Sequence, residues 1–273
     1  MKKLILLMSL VACLAISCNT GKNANFTIIG DGTPYYFVPE KLMGHVQTVI
    51  EKNYWAIPDG ESYKKGNPLT KTDRDSLGGW TDDFEATFDN DGNLLTCQNM
   101  DENGKAFRVY KVFKADDGTL KGENLMTDTL NYWDRFKLDK DGKRIGYDRF
   151  APKADTISLT FNIRTNPAGD TLEYQSVNAK GEAQYKFLVL FDKEGQFLRS
   201  ESFDRKGVLQ FVNEVKYNDK GKISEGTGYD KDKKLVYSGT YIYEYDKKGN
   251  WVKVIGKTNK NQVVLAERTI KYF

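Results

Sequence analysis

An aromatic or apolar residue, then Asp or Asn, two variable residues and Gly: this unit recurs from Asp82 to the end of the chain. It is clearest in YIYEYDKKGNWVKV (241–254), and VLFDKEGQFL, EVKYNDKGKI and EATFDNDGNL are variants of it. The closing glycines, some in looser versions, are Gly92, Gly104, Gly118, Gly142, Gly169, Gly181, Gly195, Gly207, Gly221 and Gly249. Most successive gaps are 12 or 14 residues, and the three gaps of 24, 27 and 28 are doubled steps. Each skipped slot still reads as a turn: MTDTL near 128, APKAD near 153 and DKDKK near 232, with TNKNQ at 258–262 as one more.

The chemistry of the unit is local. Asp or Asn at the first position of a type I turn accepts a hydrogen bond from the backbone two residues on. Gly at the fourth position adopts the left-handed conformation that other residues resist. A type I turn followed by such a Gly closes a hairpin with a bulge. Taking about four residues for the loop leaves strands of about eight residues. TYIYEY puts Tyr241, Tyr243 and Tyr245 on one face. The expectation is an all-β, antiparallel up-and-down meander of about 14 strands. A sheet of that size must twist strongly, roll up or close, and the sequence leaves open which.

The N-terminal part reads differently. Residues 1–17 (MKKLILLMSLVACLAIS) have the basic start, apolar run and small residues of a signal peptide. LAISC resembles the lipobox of bacterial lipoproteins, which implies that Cys18 is acylated, with residues 18–25 as its tether to the membrane. The location this implies is the bacterial cell envelope, at the outer membrane. Residues 26–38 suggest a hairpin. In 40–53, Leu42, Val46, Val49 and Ile50 follow helical spacing, which predicts one short amphipathic α-helix containing His45, the single histidine. Residues 56–80 read as a long loop. The organisation is thus an N-terminal hairpin, helix and loop over 26–80, followed by a repeat domain over 81–273.

YEYDKKGNWVKV followed by ERTIKYF, with Arg268, Ile270 and Tyr272, resembles the Tyr-Asp repeats of RHS-like proteins, in particular short lipoprotein relatives. The resemblance covers about residues 84–273 and implies strand-and-turn architecture. It brings no catalytic residues with it.

The sequence offers little catalytic chemistry. There is no Gly-x-Ser-x-Gly elbow, phosphate loop, dinucleotide fingerprint or His/Cys metal spacing. Cys97 has no evident base, and one histidine builds no metal site. DNDGN, DKDGK and ADDGT look like parts of a calcium loop, but the Glu six residues beyond the Gly is missing. No metal and no cofactor is expected. The near balance of 41 basic and 38 acidic residues argues against nucleic acid as a partner. Asp-Ser/Thr-apolar triplets at 75, 128, 155 and 170 resemble an O-glycosylation signal of some Gram-negative lipoproteins. The expected role is non-enzymatic: a binding or scaffold surface for a glycan or protein partner, with Tyr241, Tyr243, Tyr245 and Trp251 as its candidate contacts. The alternatives are a hydrolase, for instance a carbohydrate-active one, with an unmarked carboxylate site, and a calcium-stabilised adhesion module.

Overall fold

The structure, a computed structural model, describes residues 42–77, 82–140, 144–152, 156–192 and 196–273. The signal segment, Cys18, the tether, the 26–38 hairpin, Gly142 and Gly195 lie outside these residues. Seventeen strands and one helix are described. The first elements are β1 (Val46–Asp59), β2 (Ser62–Pro68) and α1 (Lys71–Leu77). The next strands are β3 (Asp83–Phe88), β4 (Leu94–Met100), β5 (Ala106–Lys114), β6 (Leu120–Met126), β7 (Thr129–Leu138), β8 (Arg144–Phe150), β9 (Ile157–Thr165) and β10 (Thr171–Asn178). The remaining strands are β11 (Ala183–Phe191), β12 (Phe197–Phe203), β13 (Leu209–Tyr217), β14 (Ile223–Asp230), β15 (Leu235–Tyr245), β16 (Trp251–Thr258) and β17 (Val263–Tyr272).

From β3 to β17 each strand pairs antiparallel with its sequence neighbour, as the turn spacing requires. The turns show why. In the turn after β3, Gly92 N–H donates to Asp89 O at 3.0 Å, and Asp89 N–H donates to Asn93 O at 3.0 Å. One Asp89 carboxylate oxygen accepts from the N–H groups of Asp91 and Asn93. The same two-bond side-chain cap recurs at Asp101, Asn178, Asp204, Asn218, Asp230 and Asp246. The eight described repeat glycines all have φ between 69° and 87°. Where the glycine is missing, Lys233 and Asn261 take its conformation at φ 60° and 57°. The slot near 128 is a two-residue turn with Thr127 and Asp128 both at positive φ.

The meander closes. β1 lies between the last strand and the first of the repeats. It pairs with β17 from Val46↔Tyr272 to Trp55↔Val264, and with β3 from Thr48↔Thr87 to Glu51↔Phe84. The result is a 16-strand β-barrel rather than an open rolled sheet of about 14 strands. β2 extends the wall at one end by pairing with the last part of β1.

The segment expected to be a helix over 40–53 is therefore largely strand β1. The helical spacing of Val46 and Val49 has another cause: a register shift between Val46 and Thr48. A bulge turns the alternation over by one residue, so two positions three apart both face inward. Beyond it the two-residue period resumes, with Val49, Glu51 and Asn53 all buried. The one helix falls instead in the expected loop, at Lys71–Leu77. Thr70 and Asp73 form a reciprocal N-terminal cap: Asp73 N–H donates to Thr70 Oγ1, and Thr70 N–H donates to Asp73 Oδ2. His45 is exposed, and Cys97 is buried with Phe84 and Val49.

Sixteen strands are enough to leave a water-filled channel in a round barrel. Here the inward face is buried along mid-strand, largely by aromatic rings. Phe136, Tyr147, Phe161, Tyr174 and Phe187 pack in sequence across five strands, with centroid separations of 4.3–6.5 Å. Tyr174 O–H donates to the Tyr147 hydroxyl oxygen at 2.8 Å. Arg149 and Asp134 form a bidentate buried pair at 2.8 and 3.0 Å, and Arg149 lies over Tyr132. The outward face carries cross-strand ion pairs instead: Glu173–Lys186, Arg199–Glu214, Lys216–Glu225 and Glu244–Lys253, all at 2.6–2.8 Å.

Candidate functional site

The hairpin tips alternate between the two ends of the barrel. The first end carries Leu42, the C-terminus and the turns at 89–93, 166–170, 218–222 and 246–250. The second carries β2, α1 and the turns at 101–105, 178–182, 204–208, 230–234 and 258–262.

The four aromatics singled out in the sequence form one interior cluster near the first end. Tyr241 and Trp251 are buried, and Tyr243 and Tyr245 are half-buried. Tyr243 meets Trp251 edge-on at 6.0 Å and Tyr245 at 6.2 Å. Their polar ends are engaged: Tyr243 O–H donates to the Ile223 carbonyl, and Asn218 Nδ2–H donates to the Tyr245 hydroxyl oxygen. Arg268 lies 3.2 Å from the Trp251 ring centre. These rings hold neighbouring strands together.

The second end carries a cleft. α1 packs Leu77, with Leu69 ahead of it, on Val264 and Trp55, covering the inner face of β17 and β1. Arg74, buried on the same helix, donates from Nη1 to Met100 O at 2.6 Å and comes within 3.3 Å of Asp83. Burial raises the pKa of Asp83 and of neighbouring Asp82, and the Arg74 charge offsets part of that rise. Among the described residues, the helix does not cover the inner face of β15 and β16. A cleft of about 80 Å³ opens there, between Ser76 and Leu77 on one side and Val236, Tyr237, Tyr241, Thr258 and Lys260 on the other.

Its floor is made of two glycines. Gly239 and Gly256 face inward beside Tyr241, which pairs with Gly256. A side chain at Gly239 would meet the Tyr241 hydroxyl at 3.0 Å, so glycine there keeps the tyrosine in place. Burial pushes the Tyr241 pKa up to about 12 and raises that of Tyr237 as well, so both walls are neutral phenols at ordinary pH. Tyr237 O–H is spent on Asn213. Sequence reasoning named Tyr241 but missed the rest of this site, because its parts are silent singly. A seven-residue helix is shorter than any reliable periodic window. Inward glycines are visible only once strand register is known. The TKTD cap at 70–73 was the one signal that could have located the helix.

Elsewhere the turn carboxylates look inward to their own backbone rather than outward to a cation. Among the described residues, no group of three or more His, Cys, Asp or Glu could hold a metal ion.

No protein-family model matches the chain, and no curated protein matches it in sequence. Solved structures resemble it only distantly. A porin-like protein from Bacteroides vulgatus is 11% identical with a TM-score of 0.48, over 84% of this chain and 99% of that one. A porin-like protein from Bacteroides uniformis is 10% identical with a TM-score of 0.33, over 84% and 98%. A domain of a putative outer membrane lipoprotein-sorting protein from Vibrio parahaemolyticus is 11% identical with a TM-score of 0.25, over 83% and 85%. Likenesses at this level carry nothing about ligand or activity. The resemblance to Tyr-Asp repeats rests on the sequence pattern alone.

Proposed function

We propose that this chain is a non-enzymatic cell-envelope lipoprotein, acylated at Cys18, whose closed barrel stands in water as a binding or scaffold module. The observation that carries the reading is the outer wall. Its mid-strand positions hold ion pairs such as Arg199–Glu214 and Lys216–Glu225. Lys or Arg facing lipid at mid-membrane costs about 2–4 kcal/mol each, so a wall studded with them belongs in water. The membrane link then falls to the lipid on Cys18, whose LAISC context supports acylation. A buried aromatic interior suits a rigid platform better than a channel.

Two measurements test this. Mass spectrometry of the mature N-terminus is expected to find acyl-modified Cys18; an unmodified terminus downstream of it defeats the anchor. In detergent phase partition, the full chain goes to the detergent phase and Cys18→Ala to the aqueous phase. Retention of Cys18→Ala with detergent would make the barrel itself the membrane element and end the proposal.

A further inference from the structure

We infer that the second barrel end is a docking site for an acidic peptide segment that inserts one apolar side chain into the cleft beside α1. The inference rests on the binding-module reading and gives that module a partner class. Three observations lead to it.

The first is size. A pocket for a whole small-molecule ligand usually measures about 300–1,000 Å³. The cleft measures about 80 Å³. That suits a single side chain, the kind of anchor pocket on which peptide recognition concentrates its binding energy.

The second is lining. Leu77, Val236, the Tyr237 and Tyr241 rings and the glycine floor make the larger part of the lining apolar, beside polar groups such as Ser76 and Thr258, and the Tyr237 hydroxyl is already committed to Asn213. An apolar inserted group suits this balance.

The third is charge. The tips around the cleft carry Arg205, Lys206, Lys233, Lys234, Lys257 and Lys260, none of which forms an ion pair among the described residues. Of the nearby acids, Asp232 pairs with Lys231 and Asp75 with Lys71, while Asp204, Asp230 and Asp73 hydrogen-bond to neutral groups of their own turns and keep their charge, and Glu102 lies near Lys71. The rim thus carries more positive than negative charge around a mainly apolar cleft. An excess of positive charge attracts acidic partners and speeds their approach.

The test selects a random heptapeptide display library on the full chain in detergent. The expected outcome is enrichment of Asp and Glu around one Leu, Ile, Val or Phe. The leading peptide should bind about tenfold more weakly to Lys233→Glu/Lys260→Glu. It should also bind about tenfold more weakly to Ser76→Trp, an exposed change that obstructs the cleft without touching the core. No enrichment, enrichment without acidic and apolar residues, or binding unchanged by both variants overturns the proposal. Stronger capture by anionic phospholipid vesicles than by the peptide, using Cys18→Ala, would assign the rim to a membrane surface and overturn it too. The anchor tests above do not depend on these outcomes, so failure here leaves the lipoprotein reading standing.

Discussion

Arg268 of β17 donates from Nε to Glu51 Oε2 of β1 at 2.9 Å, inside the wall at the point where the barrel closes. The two Cα positions are register partners, and both side chains are buried. The guanidinium also covers the Trp251 ring. The pair therefore joins the first strand to the last. Glu51→Gln leaves a buried guanidinium without its counter-charge, and destabilisation of about 3–5 kcal/mol is expected in a denaturant melt. Glu51→Leu with Arg268→Met should recover most of that loss. A single variant within about 1 kcal/mol of the parent would show that this ion pair does not hold the closure.

The turns supply a two-way test of backbone conformation. Gly207 has φ 76°, and a Cβ there would touch nothing, so Gly207→Ala isolates conformational strain; about 1 kcal/mol of loss is expected. Lys233 holds the equivalent slot at φ 60°, and Lys233→Gly should stabilise by a similar amount. Thermal melts of both variants check the pair, and shifts in the same direction would contradict the account.

The aromatic row gives the largest expected effect. Phe161 is fully buried between Tyr147 and Tyr174. Phe161→Ala should cost about 3–5 kcal/mol through lost transfer energy and the cavity left behind. An unfolding free energy changed by less than about 1 kcal/mol would mean that the inward face is not packed as described.

Stability should fall in acid, partly through Asp246. Its carboxylate receives a hydrogen bond from the Tyr272 hydroxyl and others from backbone N–H groups of its own turn. Burial alone would raise its pKa, but these bonds outweigh burial and hold it below the usual carboxylate range. A depressed folded-state pKa gives stability that is present above the unfolded value and lost as pH falls through the folded one. The gap in melting temperature between parent and Asp246→Asn should therefore be widest at pH 7 and narrow as pH falls below the ordinary Asp value of about 3.9. A gap that does not change with pH would refute the assignment.

The repeat glycines and the Asp or Asn before them were legible because each turn is solved within five residues. The side chain caps the backbone beside it, and no distant partner is needed. The helix expected over 40–53 failed for a related reason: a bulge near Gln47 gives a strand the spacing of a helix, and the partner that creates the bulge, β17, lies more than 200 residues away in sequence. The aromatic cluster at Tyr241, Tyr243, Tyr245 and Trp251 was found as a group, but its inward direction depends on which face of the sheet becomes concave.

From its sequence alone, this protein was committed to antiparallel strands, to where the chain reverses and to which residues share a face, because those follow from φ, local hydrogen bonds and a two-residue period. Tertiary structure decided that β1 would slide between β17 and β3 to close the barrel, that tyrosines would fill its interior, and that a short helix would leave a cleft at one end. Those outcomes depend on contacts between residues far apart in the chain, whose closure no local pattern encodes.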